Sequence, residues 1–418
     1  MVVLLKHVIP VHLLITSVVL AELYKPNTRI ACSKESHCPP DWPCCSPYGD
    51  CGSGPVCLGG CNPKLSFEDT ACAPLPILYS PATELRYDRS IPPSSSKDEV
   101  FQQMINEHYP QEAPSNFEKE ILQNNKLHLN SRGIIHFTDY LMTDSVDKAK
   151  DMLSKYQFLY SGPINIDPQT NDIQLNMPKQ SSGSLITSAK YFLYGKLHVR
   201  LRAARSIGVV TGLVLISQVG DEIDFEFLGA ELNFVQTNYY SQGELIHTNM
   251  QKYHIPTNIW ATYHTYSIDW NPDRILWMVE GQIIRTLFKR DTWDPVSKRF
   301  KYPETPMRLE IAIWPGGAAT NPPGTISWAG GLINWDTAPD ILEKGQFSVY
   351  VQHANIVPYI NPKITEKQRD VGTHQGCLKM FTFAYDSKKN PLYNEDSLKW
   401  HCCIIPKMAN WRSSGKNI

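Results

Sequence analysis

The chain predicts an all-β sandwich preceded by a small disulfide-rich module, on three observations. Eight of its 11 cysteines fall between residues 32 and 72. From residue 133 onward, short segments of alternating apolar and polar residues recur between turn signals at a spacing of roughly ten residues, the pattern of a β-sandwich. The composition, with 20 Tyr, 10 Trp, 31 Pro and 24 Gly, suits many turns and aromatic surfaces. With 40 Lys plus Arg against 41 Asp plus Glu in 418 residues, the charge balance argues against a nucleic-acid partner held by bulk electrostatics.

Residues 1–21 read as a secretory signal: Lys6 near the start, an apolar run over 8–20 interrupted by Pro10 and His12, then the small Ala21 before Glu22. That run falls short of the ~20 apolar residues of a spanning helix. No other stretch is long and apolar enough to span a bilayer, and the sequence after Asn410 lacks the hydrophobic tail of a GPI signal. The expectation is an exported, soluble monomer without a membrane anchor or N-linked glycans, since no Asn-x-Ser/Thr sequon occurs.

Residues 22–72 hold Cys32, Cys38, Cys44, Cys45, Cys51, Cys57, Cys61 and Cys72, an even count in an exported chain, which predicts four bridges. Export and the absence of paired Cys-x-x-Cys knuckles argue against zinc, and nothing in the chain calls for a metal or other cofactor. Residues 73–132 are linker-like, with Pro74, Pro76, Pro81 and the run Ile91-Pro92-Pro93-Ser94-Ser95-Ser96, and a peripheral helix is expected over 97–107. The main domain spans 133–362, opening on Ile134, Ile135, Phe137 and Leu141 with a short helix within 146–158. About ten strands follow, over 173–177, 196–202, 208–217, 221–228, 233–240, 262–270, 274–280, 282–287, 307–314 and 346–356, the eighth entered through the turn Glu280-Gly281. The polar tail, 363–418, carries Cys377, Cys402 and Cys403, of which two are expected to pair, leaving an odd thiol or an intermolecular link.

One strand stands out. In Asp221-Glu222-Ile223-Asp224-Phe225-Glu226-Phe227-Leu228, a period of two puts Glu222, Asp224 and Glu226 on one face and Ile223, Phe225 and Phe227 on the other. Like charges in a row on one face repel, so folding alone does not ask for them. A solvated edge strand can carry acids against aggregation, but edges usually use Lys, and the alternate positions here are large and apolar. Chemistry supplies the better reason: retaining cleavage of a glycosidic bond needs a nucleophilic carboxylate and a carboxylic acid roughly 5 Å apart. Residues four apart on a flat strand are about 13 Å apart at Cα. Glu222 and Glu226 therefore predict a curved sheet with the acids on its concave face.

At Glu222-Ile223-Asp224-Phe225-Glu226 the chain resembles glycoside hydrolase family 16. Further blocks resemble its fungal Crh cell-wall transglycosylases: Asp221 to Gly229 as a whole, Gln236-Thr237-Asn238-Tyr239-Tyr240, His264-Thr265-Tyr266-Ser267-Ile268-Asp269-Trp270, Tyr302-Pro303-Glu304-Thr305-Pro306-Met307-Arg308-Leu309, Ile313-Trp314-Pro315-Gly316-Gly317 and Gly324-Thr325-Ile326-Ser327-Trp328-Ala329-Gly330-Gly331. The resemblance covers about 133–360 and, by size and tail, leans toward the sporulation-associated branch. It implies a concanavalin-like jelly roll, with Glu222 as nucleophile, Glu226 as general acid then base, and Asp224 as auxiliary acid. Candidate sugar contacts are Gln236, Asn238, Tyr239, Tyr240, Trp314 and Trp328, any ring of which a sandwich can equally use as core; Trp270 reads as structural.

The cysteine block, through Cys44-Cys45-Ser46-Pro47-Tyr48-Gly49-Asp50-Cys51-Gly52 with Cys57 and Cys61, resembles hevein-like chitin-binding modules. By position Ser46 and Tyr48 carry over, while Asp50 and Val56 stand where further aromatics are usual. Weak or vestigial chitin binding, or a structural spacer, is the expectation. Together these resemblances imply a secreted enzyme of the cell or spore wall that cuts chitin and transfers it to β-glucan. A plain chitin or β-glucan hydrolase and a non-catalytic wall lectin are the rivals.

Overall fold

Where the sequence alternates, strands form, and the computed structural model stacks them into two sheets. It describes residues 26–46, 49–58, 61–68, 71–72 and 156–359 except 168, 170 and 171, with 75–76, 78, 127–128, 134–136, 152, 379–383 and 398–402. Tyr48, residues 1–21, the helix expected over 97–107, most of that expected within 146–158, and the pairing of Cys377, Cys402 and Cys403 lie outside the described residues.

In chain order the main strands are β1 (Phe158–Ser161), β2 (Ile164–Ile166), β3 (Ile173–Pro178), β4 (Ser184–Ser188), β5 (Gly195–Arg202), β6 (Val209–Ser217), β7 (Glu222–Leu228), β8 (Phe234–Tyr240), β9 (Gln251–His254), β10 (His264–Trp270), β11 (Arg274–Val279), β12 (Gln282–Phe288), β13 (Met307–Pro315) and β14 (Gln346–Pro358). Two short helices, α1 (Pro323–Trp328) and α2 (Pro339–Lys344), lie between the last two. The first sheet runs β9-β8-β7-β6-β13-β4-β1 and ends on Ile134–His136, which joins β1 in parallel. The second runs β12-β11-β10-β5-β14-β3-β2, with Leu127–His128 added beside β14. The fold is the predicted all-β sandwich with a disulfide-rich N-terminal part.

Alternation decides which face is buried. Leu213, Leu215, Ile223, Phe225, Phe227, Leu309, Ile311 and Ile313 from the first sheet meet Leu197, Val199, Tyr266, Ile268, Trp270, Trp277, Phe347 and Val349 from the second, all essentially sealed from solvent. Trp270 is core, and its Nε1 donates to Pro303 O at 3.0 Å, as an indole buried this deeply requires. Between β11 and β12 the chain turns in two residues, Glu280 and Gly281, both at positive φ (49° and 79°), the geometry a tight hairpin demands.

The structure adds strands that the sequence pattern did not announce. β1, β2 and β4 are short, and β9 is an edge strand exposed at every position, so it carries no alternation to read. The cysteine block forms four bridges, Cys32–Cys45, Cys38–Cys51, Cys44–Cys57 and Cys61–Cys72. Its Lys64 Nζ donates to Gln242 Oε1 at 3.1 Å. The chain just beyond it also engages the main domain: Tyr191 N donates to Pro76 O (2.8 Å) and Leu78 N to Tyr191 O (2.7 Å). Leu75–Pro76 further pairs with Lys379–Phe383, which pairs with Leu398–Cys402, so part of the polar tail closes a small sheet.

Candidate active site

The register of the first sheet fixes the face that carries the acids. β7 lies between β6 and β8: Glu222 stands opposite Ile216 and Tyr240, Asp224 opposite Val214 and Asn238, Glu226 opposite Gly212 and Gln236. Because Ile223, Phe225 and Phe227 are fully buried between the sheets, the three acids share the outer face. Gly212 leaves room there: a Cβ at that position would stand 3.8 and 3.9 Å from the two Glu226 carboxylate oxygens. Glu222 and Glu226 are half-buried, and Asp224 is 2% exposed.

Burial and mutual repulsion raise all three carboxyls. Burial pushes Glu222 well above the usual carboxylate range, helped by the charges of Asp224 and Glu310. Glu226 is raised by burial and then by Asp224 and Glu222. Asp224 is pushed up by burial only to about 7, because Arg285, the Asn238 backbone N–H and a hydrogen bond from Glu222 favour its charged form. The set titrates as one unit that shares its protons. Asp224 Oδ1 and Glu226 Oε2 are buried without a hydrogen-bond partner among the described residues.

Rings flank both ends of the acid strand. Beside Glu222 stands Tyr240, half-buried, its hydroxyl 3.1 Å from His247 Nδ1 and pushed up to about 12 by burial and by Asp224 and Glu222. Beyond Glu226, Trp314 on β13 and Trp328 on α1 stack at 6.0 Å with 23° between their planes. Trp328 Nε1 donates to Gln236 Oε1 at 2.8 Å, tying the ring to the residue opposite Glu226. Gln236 and Asn238 lie on the acid face.

Tyr239 departs from the expectation. It is paired with Ile223, is 9% exposed and joins the core, so its ring faces the opposite side of the sheet from Tyr240. Consecutive strand residues cannot both face the cleft. Tyr239→Ala is therefore expected to lower stability by about 3 kcal/mol, whereas Tyr240→Ala is expected to leave stability nearly unchanged and raise KM roughly tenfold through lost stacking. Denaturant titration and steady-state kinetics on the two variants check this.

In the module, Ser46 is buried and its Oγ accepts the Asp50 N–H at 3.1 Å, an internal turn contact. Among the described residues, the group with metal-ligating spacing is Cys32, Cys38 and Cys45, each already in a disulfide.

Some functional neighbours were not singled out from sequence. Asp221, fully buried, accepts from Gln242 N (2.7 Å), Glu304 N (3.0 Å), Thr305 N (3.1 Å) and Thr305 Oγ1 (2.6 Å), pinning two loops to the start of β7. Gly220 lets these loops close, since a Cβ there would meet Gly243 at 2.8 Å. Asp221→Ala strands four donors and is expected to cost about 3 kcal/mol, measurable as a shift in the urea midpoint. On β13, Arg308 Nε and Nη2 hold Glu310 Oε1 at 3.1 and 2.7 Å; alternation along 307–314 was the signal for this pair.

The chain is also similar to known proteins. The profile of glycosyl hydrolases family 16 matches residues 152–330. The chain is 46% identical over 407 residues to the probable glycosidase CRR1 of Saccharomyces cerevisiae, covering 95% of each. It is 38% identical over 317 residues to Crh-like protein 2 of Aspergillus fumigatus, covering 76% of this chain and 59% of that one. Among solved structures it is similar to the apo Crh5 transglycosylase, at 30% identity and TM-score 0.47 over 59% of this chain and 88% of that one. This chain belongs to glycosyl hydrolase family 16, in its Crh-like group of glycosidases and transglycosylases.

Proposed function

We propose that this protein is an exported retaining transglycosylase that cleaves β-1,4-linked chitin and passes the chain to β-glucan acceptors during assembly of the cell wall, the spore wall in particular. The observation that carries the reading is the placement of Glu222, Asp224 and Glu226 on one face of β7 with rings beyond both ends. As Glu222 attacks the anomeric carbon, its proton passes to Asp224 through their hydrogen bond. Glu226 protonates the departing sugar oxygen, and a glycosyl ester on Glu222 remains. The acceptor hydroxyl then attacks the anomeric carbon, Glu226 takes its proton, and Asp224 returns the first proton to Glu222.

Water resolves the same ester, so transfer requires an acceptor held longer than water competes. Tyr240 at one end and Trp314 with Trp328 at the other supply stacking surfaces for donor and acceptor chains. The test is purified protein with chitin oligosaccharides and a labelled β-glucan. Label joined to chitin supports transfer; shortened oligomers without joined label make the protein a hydrolase, and neither product makes it a lectin.

A further inference from the structure

β11 and β12 pair in register as far as Trp277 opposite Arg285 and then slip, so that Met278 faces Ile283 and Ile284 is the extra residue. Bulges of this kind re-aim a side chain. Here the slip lies behind the acid strand, and Arg285 points into the protein at 8% exposure. A buried guanidinium is costly unless its donors and charge are answered. Its donors are: Nη1 reaches Thr237 O (2.7 Å) and Oγ1 (2.9 Å), and Nη2 reaches Asn249 O (2.7 Å). Its charge is not, since among the described residues no carboxylate lies within ion-pair distance; the cation rests instead 4.6 Å over the ring of Trp277 and 5.7 Å over that of Tyr239.

The Trp277 contact leads to the backbone of Asp224, and the Thr237 contacts lead to the strand paired with it. Trp277, fully buried, donates its Nε1–H to the Asp224 carbonyl at 3.0 Å. Thr237 precedes Asn238, the residue opposite Asp224. We propose that Arg285 is a positioning residue for the acid triplet, a cation without a carboxylate partner, braced behind β7 and β8, that keeps negative charge on Asp224 so that Asp224 can receive the proton of Glu222. This rests on the reaction proposed above.

The other charges around Asp224 do not substitute for it. On its own strand stand Glu222 and Glu226, and Tyr240 faces it from β8. From β13, across β6, come Glu310, which adds negative charge beside Glu222, and Arg308, which is ion-paired with Glu310. Asn238 contributes only a backbone N–H.

Three variants test the idea: Arg285→Gln, which keeps an amide donor, Arg285→Met, which keeps neither donor nor charge, and Arg285→Lys, which keeps the charge. In the pH profile of kcat/KM on chitin oligosaccharides, the acidic limb is expected to move up by about one pH unit in the two neutral variants and to stay near wild type in Arg285→Lys. Carboxyl NMR of Asp224, assigned against Asp224→Asn, is expected to show the same shift without any turnover. A wild type inactive on these substrates would thus overturn the proposed reaction while the titration still judges Arg285. An unmoved Asp224 titration in a folded neutral variant, or failure of both neutral variants to fold while Arg285→Lys titrates differently from wild type, would overturn the role proposed here.

Discussion

Glu222→Gln is expected to lower turnover by at least about 10⁴-fold with the sandwich as stable as wild type or more so. The amide fills the same space beside Ile216 and Tyr240, so packing is retained, but its neutral carbonyl oxygen is far less nucleophilic than a carboxylate and cannot give the glycosyl ester. Stability follows from the sign of the shifts. A carboxyl whose folded pKa lies above its unfolded value favours the fold at low pH and loses that contribution as pH rises through the folded value. For Asp224 the window runs from 3.8 to about 7, and Glu222 and Glu226, raised well above the usual carboxylate range, act in the same direction. Wild-type Tm is therefore expected to fall as pH rises through this range, and Glu222→Gln to fall less steeply. Calorimetry across pH checks the slope; unchanged activity in the folded variant would remove Glu222 from the mechanism.

Glu226→Ala is expected to lose about 10³-fold in turnover of polysaccharide, with the loss depending on the leaving group. Substrates whose leaving group departs without a proton keep the first step fast, because Glu222 is intact, and stall at the ester for want of a base. Gly212 already leaves space beside Glu226, and truncation to Ala enlarges it, so a small anion such as azide is expected to enter and take the glycosyl group. Rates on activated and natural substrates, with and without azide, measure this. Equal losses on both, with no azide product, would show that Glu226 is not the proton donor.

Much of this was legible in the sequence because burial writes a period of two wherever one face is covered. The acid strand, the core-facing Ile223, Phe225 and Phe227, and the strands on either side followed from alternation. The same rule separates Tyr239 from Tyr240, since Tyr239 shares its parity with the buried Val235. The block from Gln236 to Tyr240 resembles the family as a unit, but the pleat divides its side chains between the two faces. Other features had no such signal. The role of Arg285 depends on a bulge, and one extra residue in a ladder leaves no mark in local composition. β9 is exposed on every residue and pairs only at one edge, so nothing in its sequence distinguishes it from a loop. The contact of Lys64 with Gln242 joins residues 178 apart, a distance over which spacing says nothing.

The most direct measurement is to map the covalent intermediate. Glu226→Gln, incubated with a chitin oligosaccharide bearing an activated leaving group, loads the enzyme but cannot deprotonate the acceptor, and the digested protein is then read by mass spectrometry. The expected result is a glycosyl ester on the peptide that contains Glu222, lost again in the double variant that adds Glu222→Gln. Turnover of the same substrate with no adduct, or an adduct on any other residue, would contradict the retaining mechanism built on the acids of β7.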